Sequence, residues 1–151
     1  MDLKILVFFL IFFPQSAFCL CVKSNVANLR SKPNGPVTWT APQYTPLVKL
    51  DKKGRWYKVQ TQDGKVYWVF DSILTSQYSC LSISTATANL RKGPGAQYPF
   101  AEFRTADKFF AFKRIGKQGG WYQIQASFGE KFWVHSSNIW RPVRKMRMNY
   151  K

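Results

Sequence analysis

Few side chains in this sequence could carry out chemistry, and their spacing does not bring them together. The 151 residues include one histidine, His135, three cysteines and seven acidic residues. The acidic residues are scattered, without the paired spacing that general acid–base catalysis needs. A single histidine cannot form a typical zinc site without thiolates or several carboxylates. We therefore predict no enzymatic activity, no catalytic or metal-ligating residue and no cofactor, and we assign His135 a capping or hydrogen-bonding role.

Two copies of one short unit carry most of the aromatic residues. Three blocks return in the same order about sixty residues later. They are Ala27-Asn28-Leu29-Arg30 and Ala88-Asn89-Leu90-Arg91, Trp56-Tyr57-Lys58-Val59 and Trp121-Tyr122-Gln123-Ile124, and Tyr67-Trp68-Val69 and Phe132-Trp133-Val134. Self-similarity of this kind indicates repeated structural units. We place the two units at residues 20–76 and 77–140.

Short strands and tight turns are the elements that the sequence of each unit predicts. Tyr57 and Val59 alternate with Lys58 and Gln60, which is the pattern of a half-buried strand. An Asp-Gly turn at 63–64 then favours a hairpin. We expect about five strands and no helix in each unit, with one long loop at 31–46 or 92–106. The predicted fold class is all-β, with two tandem small antiparallel barrels.

Three segments of the second unit carry a family resemblance. They are Asn-Leu-Arg-Lys-Gly-Pro at 89–94, Gly-Trp-Tyr-Gln-Ile at 120–124 and Trp-Val-His-Ser-Ser at 133–137. They resemble the bacterial SH3-like domain (SH3b), and the first unit keeps the same pattern in a degraded form. The resemblance implies that both barrels are SH3-like. The family commonly accompanies peptidoglycan hydrolases and binds wall peptides, so the resemblance also implies a module that acts at the cell wall.

The same resemblance points to candidate ligand-binding residues. Strand parity puts Trp56 and Trp121 on the polar face of their strands. SH3-type domains use aromatic residues of the long loop and of neighbouring strands to bind extended peptides. We predict a groove formed by Tyr98, Phe100 and Trp121, and a poorer one formed by Trp39, Tyr44 and Trp56. The alternative is that these aromatic rings only fill space between loop and barrel or between the two units.

Residues 1–19 stand apart from both units. An unbroken apolar run at 5–13 is too short to span a bilayer. Ala17 and Cys19 have the spacing expected before a cleavage site. We predict a signal peptide at 1–19, cut after Cys19, and an exported protein that is periplasmic or extracellular and has no transmembrane span after cleavage. An uncleaved anchor is the alternative.

Cleavage at that point leaves one cysteine before each unit. In an oxidising compartment we expect Cys21 and Cys80 to form a disulfide that links the units. Closing so long a loop stabilises the fold by about 4 kcal/mol. A reactive thiol is the alternative, and a catalytic pair with His135 would require that the thiol stay free.

The charge of the chain predicts anionic partners. The net charge is +16, and the tail at 141–151 has five basic residues and no acidic one. A field of this sign attracts polyanions and anionic surfaces. We expect the tail either to remain solvated or to contact anionic envelope polymer or lipid head groups.

Three functions fit these observations. The resemblance implies an exported non-catalytic module that recognises peptidoglycan or cell-wall peptides. An envelope adaptor that binds an extended or proline-containing segment of a partner protein is the second hypothesis. Nucleic-acid binding is suggested by basic residues among aromatic ones, and the predicted signal peptide argues against it.

Overall fold

A computed structural model of the protein describes residues 18–143, which form two antiparallel sheets of seven strands each. The first sheet consists of β1 (Cys19–Val22), β2 (Val26–Arg30), β3 (Val37–Pro42), β4 (Pro46–Lys53), β5 (Trp56–Gln60), β6 (Val66–Phe70) and β7 (Leu74–Thr75). The second consists of β8 (Ser79–Ile83), β9 (Thr87–Arg91), β10 (Phe100–Asp107), β11 (Ala111–Gln118), β12 (Trp121–Gln125), β13 (Lys131–His135) and β14 (Ile139–Trp140). The only described helices are short 3₁₀ turns at Asp71–Ile73 and Ser136–Asn138.

Both sheets have the same topology. The spatial order is β3-β2-β6-β5-β4-β1-β7 in the first sheet and β10-β9-β13-β12-β11-β8-β14 in the second. Corresponding strands therefore occupy corresponding places. The predicted fold class, all-β with two tandem SH3-like domains, is confirmed.

The predicted long loops are wrong, and so is the expected number of strands. The segment 31–46 contains all of β3, and 92–106 contains all but the last residue of β10. These strands pair with β2 and β9 respectively. β3 is rich in β-branched and aromatic residues, which suit a strand. It also lies at the edge of its sheet, where Pro42 removes no hydrogen bond of an inner ladder.

The predicted hairpins are confirmed in both units. β5 pairs with β6, and β12 pairs with β13, over their whole lengths. Each turn contains a glycine in the left-handed region, Gly64 with φ 85° and Gly129 with φ 94°. That conformation strains residues with a Cβ, so glycine fixes the register of each hairpin.

Each unit has its own hydrophobic core. Alternation along β5 and β12 sends Val59 and Ile124 inward, and both are fully buried. The second core is the more aromatic of the two, because Phe112, Tyr122 and Phe132 all belong to it.

A disulfide, hydrogen bonds and an aromatic contact join the two units. The predicted disulfide between Cys21 and Cys80 is confirmed, with the two Cα atoms 6.0 Å apart. The Gln62 side chain donates to the Ile83 carbonyl at 3.0 Å and accepts from the hydroxyl of buried Ser82. Tyr44 packs edge-on against Tyr78, the residue just before β8. The junction is thus held by a covalent bond, by hydrogen bonds and by packed aromatic rings.

The described part begins just before the predicted cleavage site. Residues 1–17 of the predicted signal peptide and 144–151 of the predicted tail lie outside the described residues. The Phe18 carbonyl accepts from the Lys49 amide at 2.9 Å, and Cys19 pairs with Val48. A cut after Cys19 would therefore remove the first residue of β1. Within 18–143, no helix has the length and apolar character needed to cross a bilayer.

Candidate functional site

One outward-facing surface of the second unit collects aromatic and basic side chains. Arg91 lies opposite both Phe100 and Trp133, and Trp121 lies opposite His135. Directly opposite residues in antiparallel strands point to the same face. All five side chains are partly exposed. We call this set, Phe100, Arg91, Trp133, Trp121 and His135, the outer aromatic face.

Arg91 organises one end of this face. Its guanidinium carbon lies 4.4 Å from the centre of the Phe100 ring, and its Nη1 donates to the Tyr98 carbonyl at 3.0 Å. Its Nε is buried without a hydrogen-bond partner among residues 18–143. The Tyr98 ring covers Gly93, where a Cβ would come within 2.3 Å of a ring atom. Tyr98 and Phe100 are thus brought together around one arginine.

Trp121 and His135 form the other end of the face. Their rings meet edge to face, with centroids 5.2 Å apart. The His135 Nδ1 accepts from the Ser137 amide at 3.2 Å, so the side chain caps the 3₁₀ turn that follows β13. The predicted capping role of His135 is confirmed, and it holds the imidazole in place beneath the tryptophan.

The first unit has a weaker counterpart of the outer aromatic face. Arg30 lies opposite Trp68, and Trp56 packs edge-on against Phe70 at 5.2 Å. The guanidinium carbon of Arg30 is 5.9 Å from the Trp56 ring centre. Phe70 takes the place of His135, so the polar ring of the second unit is replaced by an apolar one.

Trp39, Tyr44 and Trp56 lie in three different places. Trp39 is 65% exposed and overhangs a cavity of about 290 Å³ between the first barrel and the second unit. Tyr44 contacts Tyr78 at the junction, with ring centroids 5.8 Å apart. Strand β3, which the sequence predicted as loop, is what carries Trp39 away from Trp56. Whether these residues bind a ligand stays a prediction.

The cavity between the units was not anticipated from the sequence. Tyr67 of the first unit and Phe109 of the second contribute to its walls, beside Trp39. At its rim the Thr61 hydroxyl donates to Asp63, which lowers the pKa of that carboxyl, and Lys65 lies 3.9 Å away. Apolar walls with a charged rim suit an amphipathic group. Nothing in a repeat pattern indicates a cavity that needs both units.

The sulfur atoms of the three cysteines also lie close together. Cys19, Cys21 and Cys80 have sulfur atoms within 4.8 Å of one another. Burial raises the pKa of the Cys19 thiol to about 11, although the charge of Arg141 opposes this. A protonated thiol is a poor nucleophile and a poor metal ligand. With Cys21 and Cys80 joined to each other, the cluster presents no thiolate at neutral pH.

Trp133 and Arg91 are the members of the outer aromatic face that sequence reasoning missed. Parity could have found Trp133, because it lies between buried Phe132 and buried Val134. Arg91 could not be assigned in this way, because its role depends on the pairing of β9 with β10 and β13.

The second unit is thus a small antiparallel β-barrel that presents aromatic rings and an arginine on one outer face. Residues 84–141 match the family model described as "Bacterial SH3 domain". The first unit lies outside the matched range. It has the same strand order, and its membership in the family stays a prediction.

Other comparisons add little to this match. No curated protein matches the sequence. The chain is similar to a solved structure of NlpC1 from Trichomonas vaginalis (11% identity, 87% of this chain and 48% of that one, TM-score 0.36). It is also similar to NlpC2 from the same organism (13% identity, 87% of this chain and 52% of that one, TM-score 0.37). A third similar structure is an NlpC/P60 family protein from Bacillus cereus ATCC 10987 (13% identity, 84% of this chain and 59% of that one, TM-score 0.35). The chain spans about half the length of these proteins, and at such TM-scores the likeness carries no argument.

Proposed function

We propose that the protein is an exported, non-catalytic module that recognises peptidoglycan or cell-wall peptides through the outer aromatic face of its second unit. The observation that carries the proposal is the placement of Trp121, Trp133 and Arg91 on one outer surface. This surface lies within the segment matched as a bacterial SH3 domain. The predicted signal peptide supports export.

The chemistry of the face suits a peptide with free carboxylates. Half-buried tryptophan rings supply contact area while losing little conformational entropy on binding. The Arg91 guanidinium is held against Phe100, and Arg91 is partly exposed. A guanidinium pairs well with a carboxylate, and wall stem peptides carry carboxylates.

Co-sedimentation with purified peptidoglycan at low and high salt tests the proposal. We expect binding that survives high salt, and a loss of about tenfold or more in the Trp121→Ala variant, because large aromatic anchors dominate such interfaces. Trp121→Phe keeps a ring on His135 and should retain most of the binding. Trp56→Ala, the equivalent change in the first unit, shows whether both units bind.

The opposite result is equally informative. Binding that disappears at high salt and is the same in Trp121→Ala would mean that the +16 charge alone attracts the wall. The proposal would then be abandoned. Thermal unfolding of each variant confirms that a loss of binding does not reflect loss of the fold.

An envelope adaptor is the second candidate, and a different surface favours it. β3 forms an edge of the first sheet and exposes Val37 at 44% and Trp39 at 65%. An open edge strand can accept an extended segment as an additional strand. Sacculi treated with protease before the assay distinguish the two functions. Binding that the treatment abolishes would favour the adaptor over the wall-peptide module.

A further inference from the structure

Three cations surround one tyrosine ring on the inner side of β12. Arg114, Lys117 and Arg141 lie 5.1, 5.4 and 5.5 Å from the centre of the Tyr122 ring. Lys117 is directly opposite Tyr122 in the β11–β12 pair, and Arg141 follows the last residue of β14. Tyr122 itself is only 3% exposed, so the ring is a fixed support for the three side chains. We call these three residues the Tyr122 cation cluster.

Within residues 18–143, none of the three cations of the cluster forms an ion pair. The two ion pairs among residues 18–143 are Arg55–Asp71 and Lys65–Asp63, both in the first unit. Because each cation lies within 5.5 Å of one point, no two of these charge centres are more than 11 Å apart. That separation is comparable to the Debye length of about 8 Å at physiological salt, so the repulsion among them is only partly screened.

The first unit shows how the same arrangement looks when an acid is present. Lys49 and Lys52 lie 5.4 and 4.8 Å from the Tyr57 ring centre, in positions equivalent to Arg114 and Lys117. Asp71 of the first 3₁₀ turn pairs with Arg55, whose hydrogen bonds do most to lower the pKa of that carboxyl, and the charge of nearby Lys52 lowers it further. Ser136 takes the place of Asp71 in the second unit. The second unit therefore has one more cation and lacks the acid.

We propose that the Tyr122 cation cluster binds phosphate groups of a phosphate-rich polymer. Two guanidinium groups offer paired donors whose geometry fits phosphate oxygens, and an ammonium group adds a third charge. A multivalent anion would relieve the repulsion among the three cations. This binding site is separate from the outer aromatic face, because Trp121 and Tyr122 point to opposite sides of β12.

Titration of the full chain with inorganic tripolyphosphate, at fixed moderate salt, tests the site. We expect the variant with Arg114→Gln, Lys117→Gln and Arg141→Gln to bind at least about tenfold more weakly. The matched control carries Arg144→Gln, Lys145→Gln and Arg147→Gln in the tail, and loses the same three positive charges. The control should stay within about threefold of the unchanged protein.

A second variant separates the effect of guanidinium geometry on binding from the effect of positive charge. Arg114→Lys with Arg141→Lys keeps every charge and removes both guanidinium forks, and we expect it to bind several-fold more weakly than the unchanged protein. Equal weakening of the cluster and tail variants would overturn the proposal, because net charge alone would then explain binding. Full binding by the lysine variant would also overturn it.

Two further ligands identify the source of the phosphate. Poly(glycerol phosphate) represents a phosphodiester wall polymer, and tripolyphosphate represents free polyphosphate. Cluster-dependent binding of either one supports the site and names its source. An oligonucleotide of equal charge that binds more tightly than both, with the same sensitivity to the cluster variant, would replace this proposal by nucleic-acid binding. None of these outcomes depends on whether Trp121 binds wall peptides.

Discussion

Gln62 distinguishes the hairpin turn of the first unit from that of the second, because its side chain contacts the other unit. It occupies the hairpin turn of the first unit and bonds to both Ser82 and Ile83 of the second. The equivalent turn position in the second unit is Ser127, which is exposed. One side chain thus converts a repeated turn into a contact between units.

Replacing Gln62 by alanine should destabilise the protein by about 1–3 kcal/mol, because the Ser82 hydroxyl is left buried without its partner. Ser82 is only 3% exposed. Urea denaturation followed by tryptophan fluorescence measures the change. Gln125→Ala is the matched control, since the Gln125 amide bonds only to the Gly129 carbonyl at an exposed turn. Equal midpoints for the two variants would show that the Gln62 contact contributes nothing to stability.

At the scale of elements, β1 depends on the second unit. It is four residues long, pairs with β4 and β7, and is tied to β8 by the Cys21–Cys80 disulfide. The sulfur atoms of both cysteines also approach backbone carbonyls across the junction, those of Tyr78 and Leu20. So short a strand gains its stability from what covers and crosslinks it.

The variant with Cys21→Ser and Cys80→Ser should therefore lose about 4 kcal/mol of unfolding free energy, because the bond closes a loop spanning 59 residues. Denaturation midpoints of the unchanged protein, with and without a thiol reductant, measure the contribution of the disulfide to stability independently. If neither the variant nor reduction moves the midpoint, the bond is not holding the units together.

The elements also show how far sequence reasoning reaches. The β5–β6 and β12–β13 hairpins were predictable, because alternation and a glycine turn are local signals. β3 was not, since five of its six residues are exposed and its burial shows no alternation. The disulfide was predictable from the position of one cysteine before each unit. The cavity beside Trp39 was not, because it depends on how the two barrels meet.

At the scale of the whole molecule, the two proposed sites lie on opposite sides of one strand. The outer aromatic face uses Trp121, and the Tyr122 cation cluster uses the next residue. Strand alternation alone separates them, so the second unit could hold a peptide on one side and a phosphate polymer on the other. Binding of one probe should then leave the other site available.

The net charge of +16 makes a last prediction about stability. Residues 18–143 contain only two ion pairs, so most of the positive charge in this part of the fold is uncompensated. Repulsion of this kind destabilises a compact chain, and salt screens it. Raising NaCl from about 10 mM to about 100 mM shortens the Debye length from about 30 to about 10 Å.

We expect this change in salt to raise the thermal unfolding midpoint by about 2–4 °C, equivalent to about 1 kcal/mol for a chain of this size. Differential scanning calorimetry measures it. Lys92→Gln with Lys131→Gln, which neutralises two exposed cations outside both sites, should reduce the salt-dependent rise. A midpoint that falls with added salt would mean that local ion pairs outweigh the net repulsion. The net positive charge would then have to be balanced by contacts other than the two ion pairs of residues 18–143.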